Sequence, residues 1–305
     1  MITSPIWLPA TLVAGAVQAW RTALQRRVSH SLSLNAAGLV RYLYGIPFTL
    51  LLLGGYTLFV AAPVPAIAPG FLLFSLGGGL AQIIATNLLI TAFRHRNFVV
   101  GTAYSKTEAV QGALLSFLLL GERLSPLAWA GIGCGVVGVM LLSTGGKRMG
   151  PGDFLRALAQ PAALTGIASG FFFALTAIGI RRATQAVGGD DRILAALLVL
   201  VATVLLQTLM QGAYLMLREP GEMRRVFASW RVSGQVGLLS ALGSACWFTG
   251  FATAPVALVR IVGQIEVAFT MAFAHFYLKE RIWRSEAAGL LLVVAGVALA
   301  LMGAL

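Results

Sequence analysis

The sequence predicts an all-α polytopic membrane protein with ten transmembrane helices in two inverted five-helix repeats. Three observations support this prediction. Only 10% of the 305 residues are charged and 58% are hydrophobic, whereas soluble domains are about 25% charged. Uncharged runs such as residues 157–180 are long enough to cross the hydrocarbon core, which takes roughly 20 residues. Finally, residues 117–142 recur 158 positions later as residues 275–300.

The internal repeat divides the chain into two halves. Its matched positions include Glu122 and Glu280, Arg123 and Arg281, Gly131 and Gly289, and Gly138 and Gly296. We therefore place a first five-helix repeat at residues 1–144, a connecting loop at 145–160 and a second repeat at 161–305. Duplicated helical halves are the usual construction of secondary transporters.

Apolar runs bounded by charges and by Pro or Gly breaks define the individual spans. They lie near residues 6–25, 35–58, 70–93, 98–120, 126–143, 162–180, 193–217, 233–252, 256–278 and 285–304. Each half has an odd number of spans, so the second half must enter the membrane from the opposite side. Matched positions in spans four and nine are then expected to face each other near the midplane.

The distribution of Lys and Arg predicts the orientation. The loops after the odd-numbered spans hold 15 of these cations, counting Arg21 with the first loop, and the remaining loops hold 4. The positive-inside rule places the odd loops in the cytoplasm and both termini outside. Because these cations are topology signals and no soluble face is predicted, the net charge of +12 does not indicate a nucleic-acid partner.

No motif indicates an enzyme, a metal site or a cofactor. The chain has no HExxH, GxSxG or Walker pattern, so no catalytic residue is predicted. Cys134 and Cys246 stand alone in apolar segments, which predicts neither a disulfide nor a metal ligand set. Small residues at Gly131 and Gly135 permit close helix contacts, either within one chain or in a homodimer.

The element LGERLSPLAWAG at residues 120–131 and its second copy LKERIWRSEAAG at 278–289 resemble the EamA-type branch of the drug/metabolite transporter superfamily. The resemblance covers essentially the whole chain. It implies a ten-helix transporter of the bacterial inner membrane, usually an exporter, and members are often drawn with both ends in the cytoplasm. Many members have a proline after the mid-helix Glu. Here Ala109 and Val267 follow Glu108 and Glu266, which predicts less kinked helices four and nine.

Five ionisable residues fall within predicted spans: Arg41, Lys106, Glu108, Arg260 and Glu266. Each costs at least about 2.5 to 3.5 kcal/mol at a helix centre, so a cavity, a site or a partner is expected to compensate it. Glu108 and Glu266 are repeat mates, whereas the two nearby cations have neutral mates. The three cations therefore exceed the two acids by one.

Helical geometry restricts how these charges pair. Lys106 and Glu108 are about 200° apart around one helix, which predicts that they cannot face each other. Crossed pairing between spans four and nine, Lys106 with Glu266 and Arg260 with Glu108, stays open. Such pairs either fix the packing alone or form a site for a zwitterion or an organic anion. Arg41 either joins this site or extends its side chain from the helix start to the membrane surface.

We therefore predict a secondary transporter for a small polar metabolite such as an amino acid or related carboxylate, and the family resemblance implies export. It works by alternating access with a site between the repeats. The alternatives are an exporter of lipophilic cations and a non-transporting scaffold. The expected partners are the substrate, the lipid bilayer and a coupling proton or ion, in a monomer or homodimer. The predicted substrate-binding residues are Lys106, Glu108, Arg260, Glu266, Arg41, Tyr104 and Trp247.

The orientation is tested by a reporter fused after Leu305. A reporter that is active only outside the cytoplasm is expected to be active when fused at Leu305, because the odd-numbered loops carry the excess of cations and both termini then lie outside. The same reporter fused in the loop after span seven is the control and is expected to be silent. Activity only in the cytoplasm at Leu305 would reverse the predicted orientation.

Overall fold

A computed structural model describes residue 2 and residues 4–60, 64–95, 104–143, 160–276 and 284–303. Some predicted features lie outside these residues. They are the start of predicted span four (98–103), nearly all of the connecting loop, and the repeat positions Glu280 and Arg281.

The described part of the chain folds into α-helices and contains no strand beyond an isolated bridge of Ile67 with Val187. In chain order the helices are α1 (Trp7–Ser31), α2 (Leu34–Leu43), α3 (Ile46–Phe59), α4 (Gly70–His95), α5 (Glu108–Leu120), α6 (Pro126–Ser143), α7 (Pro161–Gln185), α8 (Arg192–Arg218), α9 (Pro220–Ala228), α10 (Trp230–Thr253), α11 (Val256–Gly263), α12 (Glu266–Phe276) and α13 (Arg284–Met302).

Five described segments are long and apolar enough to cross a membrane. They are Leu34–Phe59, Gly70–Ala92, Pro161–Gln185, Arg192–Arg218 and Trp230–Thr253. Shorter apolar helices cover Glu108–Leu120, Pro126–Leu141 and Ala287–Met302. The predicted fold class, an all-α polytopic membrane protein, is confirmed by these helices.

The chain forms two compact units, and each combines segments of both predicted repeats. The first unit contains Met1–Ile83 and Thr176–Ala254, and the second contains Ile84–Leu175 and Pro255–Leu305. These units describe packing, so the repeat boundaries at 144 and 161 stay a prediction.

Several helices extend beyond the predicted spans. Helix α1 continues to Ser31 and α7 to Gln185, because a charged side chain does not end a helix as Gly or Pro does. The predicted polar loop at 218–231 contains the short helix α9, which begins with Pro220 at its first position. The extended helices place Arg21 and Arg181 inside α1 and α7, where both side chains are buried.

Helix α9 is tied to the start of α2. The backbone N–H of Ser33 donates to Glu222 Oε2 at 2.6 Å, while the Ser33 hydroxyl and the Asn35 amide donate to Glu219. The backbone hydrogen bond from Ser33, helped by the guanidinium of Arg225, lowers the pKa of Glu222 below its ordinary value. This contact therefore stabilises the fold at neutral pH and is lost as the pH falls through that lowered pKa.

Predicted spans two, four and nine are interrupted helices. Tyr44 and Gly45 separate α2 from α3, and Gln264 and Ile265 separate α11 from α12. In span four, a turn at residues 106–107 immediately precedes α5. At the second and third breaks the backbone bonds close over three residues, as in a 3₁₀ turn.

The prediction of less kinked helices four and nine is wrong. Thr107 N–H donates to Tyr104 O at 3.3 Å, and the matched Ile265 N–H donates to Val262 O at 3.1 Å, so the winding tightens at matched places without a proline. A 3₁₀ turn rotates successive residues by about 120° instead of 100°. The breaks therefore change which side chains share a face.

Helices α6 and α13 pack backbone to backbone in the second unit. A Cβ added at Gly131 would lie 2.5 Å from Gly296 O, and one at Gly138 would lie 2.6 Å from Gly289 O. These four glycines are the matched glycines of the repeat. Of the two interpretations of the small residues, packing within one chain is the one that the structure shows.

Replacing Gly131 with alanine is expected to destabilise the protein. The new methyl group meets the Gly296 carbonyl, and overpacking of this kind costs about 1 to 3 kcal/mol. Gly133→Ala is the matched control in the same helix, because a Cβ there meets nothing within 4 Å. The midpoint of denaturant unfolding in detergent should fall for Gly131→Ala and stay or rise for Gly133→Ala. Equal effects would contradict the observed packing.

Candidate functional site

The second unit brings four of the predicted site residues together. Lys106 and Glu108 come from the break before α5, and Arg260 and Glu266 come from α11 and the start of α12. All four side chains are at most 9% exposed. The two segments belong to different predicted repeats, so the cluster lies at the junction of the repeats within this unit.

Both crossed ion pairs are present. Lys106 Nζ lies 2.5 Å from Glu266 Oε2, and Arg260 Nη1 lies 3.4 Å from Glu108 Oε2. Lys106 Nζ also lies 3.9 Å from Glu108 Oε1. The prediction that Lys106 and Glu108 cannot face each other is wrong, because the tight turn between them replaces the regular helical rotation. One ammonium group therefore interacts with both carboxylates.

The backbone and small neighbours hold Arg260 in place. Its Nη2 donates to the Phe173 carbonyl at 2.7 Å. A Cβ added at Gly112 would lie 3.7 Å from the Arg260 Cγ and 3.8 Å from the Ala174 Cβ. These are ordinary van der Waals distances, so Gly112 lies close to the arginine side chain without crowding it.

The two carboxylates are held unequally. Glu266 accepts a close hydrogen bond from Lys106, whereas the ion-pair distances of Glu108 are 3.4 and 3.9 Å. Charge-assisted hydrogen bonds usually measure about 2.7 to 2.9 Å. Glu108 is therefore the carboxylate with the weaker ion-pair contacts in the cluster.

Gln264 adds an amide at the break in span nine. It is 1% exposed, and neither its Nε2 nor its Oε1 has a hydrogen-bond partner among the described residues. An unsatisfied buried amide costs about 1 to 3 kcal/mol. This residue is the repeat mate of Lys106 and was not among the predicted site residues, although its position two residues before Glu266 was a usable signal.

Tyr104 lies one turn before Glu108 and is 5% exposed. Its carbonyl accepts hydrogen bonds from the backbone and the hydroxyl of Thr107, which closes the turn at residues 106–107. The tyrosine backbone thus helps to position Lys106. Its predicted contact with a substrate stays a prediction.

Arg41 belongs to the first unit and is 5% exposed, so it does not extend to the surface of that unit. It lines a cavity of about 10 Å³, which has room for one water molecule. Tyr42, Gln207 and Ser240 also line this cavity, and Tyr42 Oη, Gln207 Oε1 and Ser240 Oγ have no hydrogen-bond partner among the described residues. The cavity is small and polar, and its lining contains no acid.

Trp247 also belongs to the first unit, where it packs as an interior residue. Its ring stacks on Phe251 with centroids 5.9 Å apart, and its Nε1 donates to Gln18 Oε1 at 2.9 Å. The contact with Gln18 joins α1 to α10. A contact between Trp247 and a substrate stays a prediction.

Two buried arginines were missed as intramembrane charges. The Arg181 guanidinium donates to the carbonyls of Phe251 and Ala252 at 2.7 and 2.8 Å, at the C-terminal end of α10. A cation there complements the negative end of the helix dipole. Arg21 is 5% exposed within α1. No proline or glycine follows either residue before its helix ends, and this signal could have placed both arginines inside α1 and α7.

The described residues include no group of three or more His, Cys, Asp or Glu side chains that could hold a metal ion. What the charge cluster offers is two cations and two carboxylates in a buried, hydrogen-bonded arrangement. Such groups can bind a charged ligand by replacing one internal pair with contacts to the ligand.

A family model described as the EamA-like transporter family matches residues 5–144 and 160–302. The chain belongs to the EamA-like transporter family. The family model matches twice along the chain, which confirms the recognition made from the two sequence elements. This EamA protein is therefore a multi-pass membrane protein of a transporter family, with a small-molecule substrate and a lipid environment.

A solved structure described as "Crystal structure of protein" has the same fold as the EamA protein. It aligns with a TM-score of 0.68 and 18% sequence identity over 97% of this chain and 98% of that chain. At this identity the likeness shows the fold alone. No curated protein matches the sequence.

The difference in ion-pair strength between the Glu266 and Glu108 carboxylates is tested by comparing the stability of Glu266→Gln with that of Glu108→Gln. Removing one partner of a buried pair costs about 3 to 5 kcal/mol. We expect Glu266→Gln to reach this range and Glu108→Gln to cost at least about 1 kcal/mol less, because its ion-pair contacts are longer. Unfolding midpoints in detergent measure the difference. An equal or larger loss in Glu108→Gln would contradict the assignment.

Proposed function

We propose that this EamA protein is a secondary transporter that exports a small polar metabolite, an amino acid or a related carboxylate, across the bacterial inner membrane. The observation that supports this proposal is the buried cluster of two acids and two cations at matched helix interruptions. A gradient supplies the energy, since the sequence has no nucleotide-binding motif. The two repeats alternate access to the site.

The charge balance of the cluster favours a zwitterion. Its two cations and two carboxylates compensate each other, so a ligand with a single net charge would leave one buried charge without compensation. An amino acid avoids this cost. Its ammonium group replaces the guanidinium at Glu108, and its carboxylate replaces Glu108 at Arg260.

The residues have different roles in this proposal. Arg260 binds the substrate carboxylate and Glu108 binds the ammonium group, because their mutual distance of 3.4 Å is the longer of the crossed pairs. Lys106 and Glu266 keep the interrupted helices together through their 2.5 Å contact. The Gln264 amide supplies further hydrogen bonds. Tyr104 lies at the turn at residues 106–107, next to Lys106.

Transport is tested with the full chain in proteoliposomes. Alanine, glutamate, lactate and tetraphenylphosphonium are first compared for their ability to raise the melting temperature, since a ligand that binds only the folded state does so. We expect an amino acid to stabilise the protein and to exchange in counterflow. Glu108→Gln is expected to lower counterflow about 10- to 100-fold, because a hydrogen bond to a charged group contributes about 1.5 to 3 kcal/mol.

Asp190→Asn is the matched control, because it removes an exposed acid outside the cluster. Its counterflow should equal that of the unaltered protein. Stabilisation and transport of tetraphenylphosphonium alone would replace the proposal with an exporter of lipophilic cations. Absence of any counterflow in folded protein would favour a scaffold, and normal counterflow in Glu108→Gln would remove Glu108 from the site.

A further inference from the structure

The first unit contains a cavity of about 670 Å³ where α1 ends and α10 begins. This volume lies within the range of small-molecule sites, roughly 300 to 1,000 Å³. The lining comes from residues 24–31 of α1 and residues 228–235 around the start of α10.

The lining of this cavity is basic and aromatic. Arg27, Arg231 and Trp230 contribute to it, and all three side chains are exposed. The Arg231 guanidinium lies 5.6 Å from the centre of the Trp230 ring. The described residues that line the cavity include no acidic side chain, so the cavity presents two positive charges to an anion.

The apolar part of the lining indicates what carries the anion. Leu24 and Val232 line the same cavity, which combines hydrocarbon contact with two cations, whereas the Val28 side chain beside them is only 3% exposed. Trp230 is 60% exposed and begins a membrane-spanning segment, and tryptophan is typical of the boundary between acyl chains and headgroups. A soluble phosphate would use the arginines but not the apolar side chains.

We propose that this cavity binds the headgroup phosphate of an anionic phospholipid, with an acyl chain against the apolar side chains. Arg27 and Arg231 contact the phosphate, and Trp230 packs at the level of the glycerol backbone. The cavity lies beside the loops that follow spans one and seven. Both loops belong to the odd-numbered set that is predicted to be cytoplasmic, so the predicted orientation places this lipid in the cytoplasmic leaflet. The site is separate from the charge cluster and does not depend on the proposed transport.

The test uses the full chain in detergent micelles with added phosphatidylglycerol or phosphatidylcholine. We expect native mass spectrometry to show one retained phosphatidylglycerol and weaker retention of phosphatidylcholine, because the choline ammonium of its zwitterionic headgroup offsets the attraction of its phosphate to the arginines. Arg27→Gln with Arg231→Gln is expected to weaken phosphatidylglycerol binding about 30-fold. This corresponds to about 2 kcal/mol, from ~1 kcal/mol for each arginine near an anionic headgroup.

Two controls make the outcome decisive. Arg224→Gln removes an exposed arginine from the neighbouring helix α9, outside the cavity lining, and should change binding less than twofold. Each single variant, Arg27→Gln or Arg231→Gln, should weaken binding about fivefold, which gives a result even if the double variant folds poorly. Glycerol 3-phosphate at millimolar concentration should not displace the lipid.

Three results would overturn the proposal. Unchanged retention of phosphatidylglycerol in the arginine variants would remove the lipid from this cavity. An equal loss in Arg224→Gln would mean that the lipid responds to the general positive charge of this face. Displacement by glycerol 3-phosphate would indicate a site for a soluble phosphate instead of a lipid.

Discussion

The ammonium group of Lys106 between two carboxylates is the interaction on which the second unit depends. It joins a segment of the first predicted repeat to a segment of the second, and it lies where both helices are interrupted. A buried charge is costly in a membrane protein unless a partner compensates it. Glu266 therefore needs Lys106, while Glu108 needs both Lys106 and Arg260. The four residues form one electrostatic unit, and a change at any of them alters the others.

The turns that interrupt the helices position the buried charges, and the contacts between these charges stabilise the turns. A 3₁₀ turn leaves backbone groups with poorer hydrogen bonds than a regular α-helix, and such turns often mark functional hinges. Here the turns direct Lys106 and Glu108 towards the same group of charges. The charge contacts in turn offset the cost of the irregular backbone. Without the turn, the regular helical rotation would separate the lysine from its neighbouring glutamate.

The sequence predicted the fold class and the family, because hydropathy and repeated motifs are local properties, and it left the crossed ion pairs as an open possibility. It misplaced the ends of α1 and α7, since the charges of Arg26 and Arg181, which directly follow predicted spans 6–25 and 162–180, were interpreted as the ends of spans. It also missed the breaks at residues 106–107 and 264–265. These turns depend on contacts between distant segments, and no proline or glycine lies at the turn residues themselves, although Gly263 immediately precedes the second turn. The Gln264 amide was overlooked because a neutral residue gives no charge signal.

The contact of α6 with α13 has a consequence for motion. Two helices that touch through their backbones have no flexible side chains at the contact that could change rotamers to absorb a shift. A slide of one helix by a single residue would bring a Cβ against a carbonyl oxygen at both glycine crossings, which lie seven residues apart in each helix. Helices α6 and α13 are therefore expected to move together as one rigid body. Conformational change within the second unit is then expected at the interrupted helices, where two short helices can rotate about the turn between them.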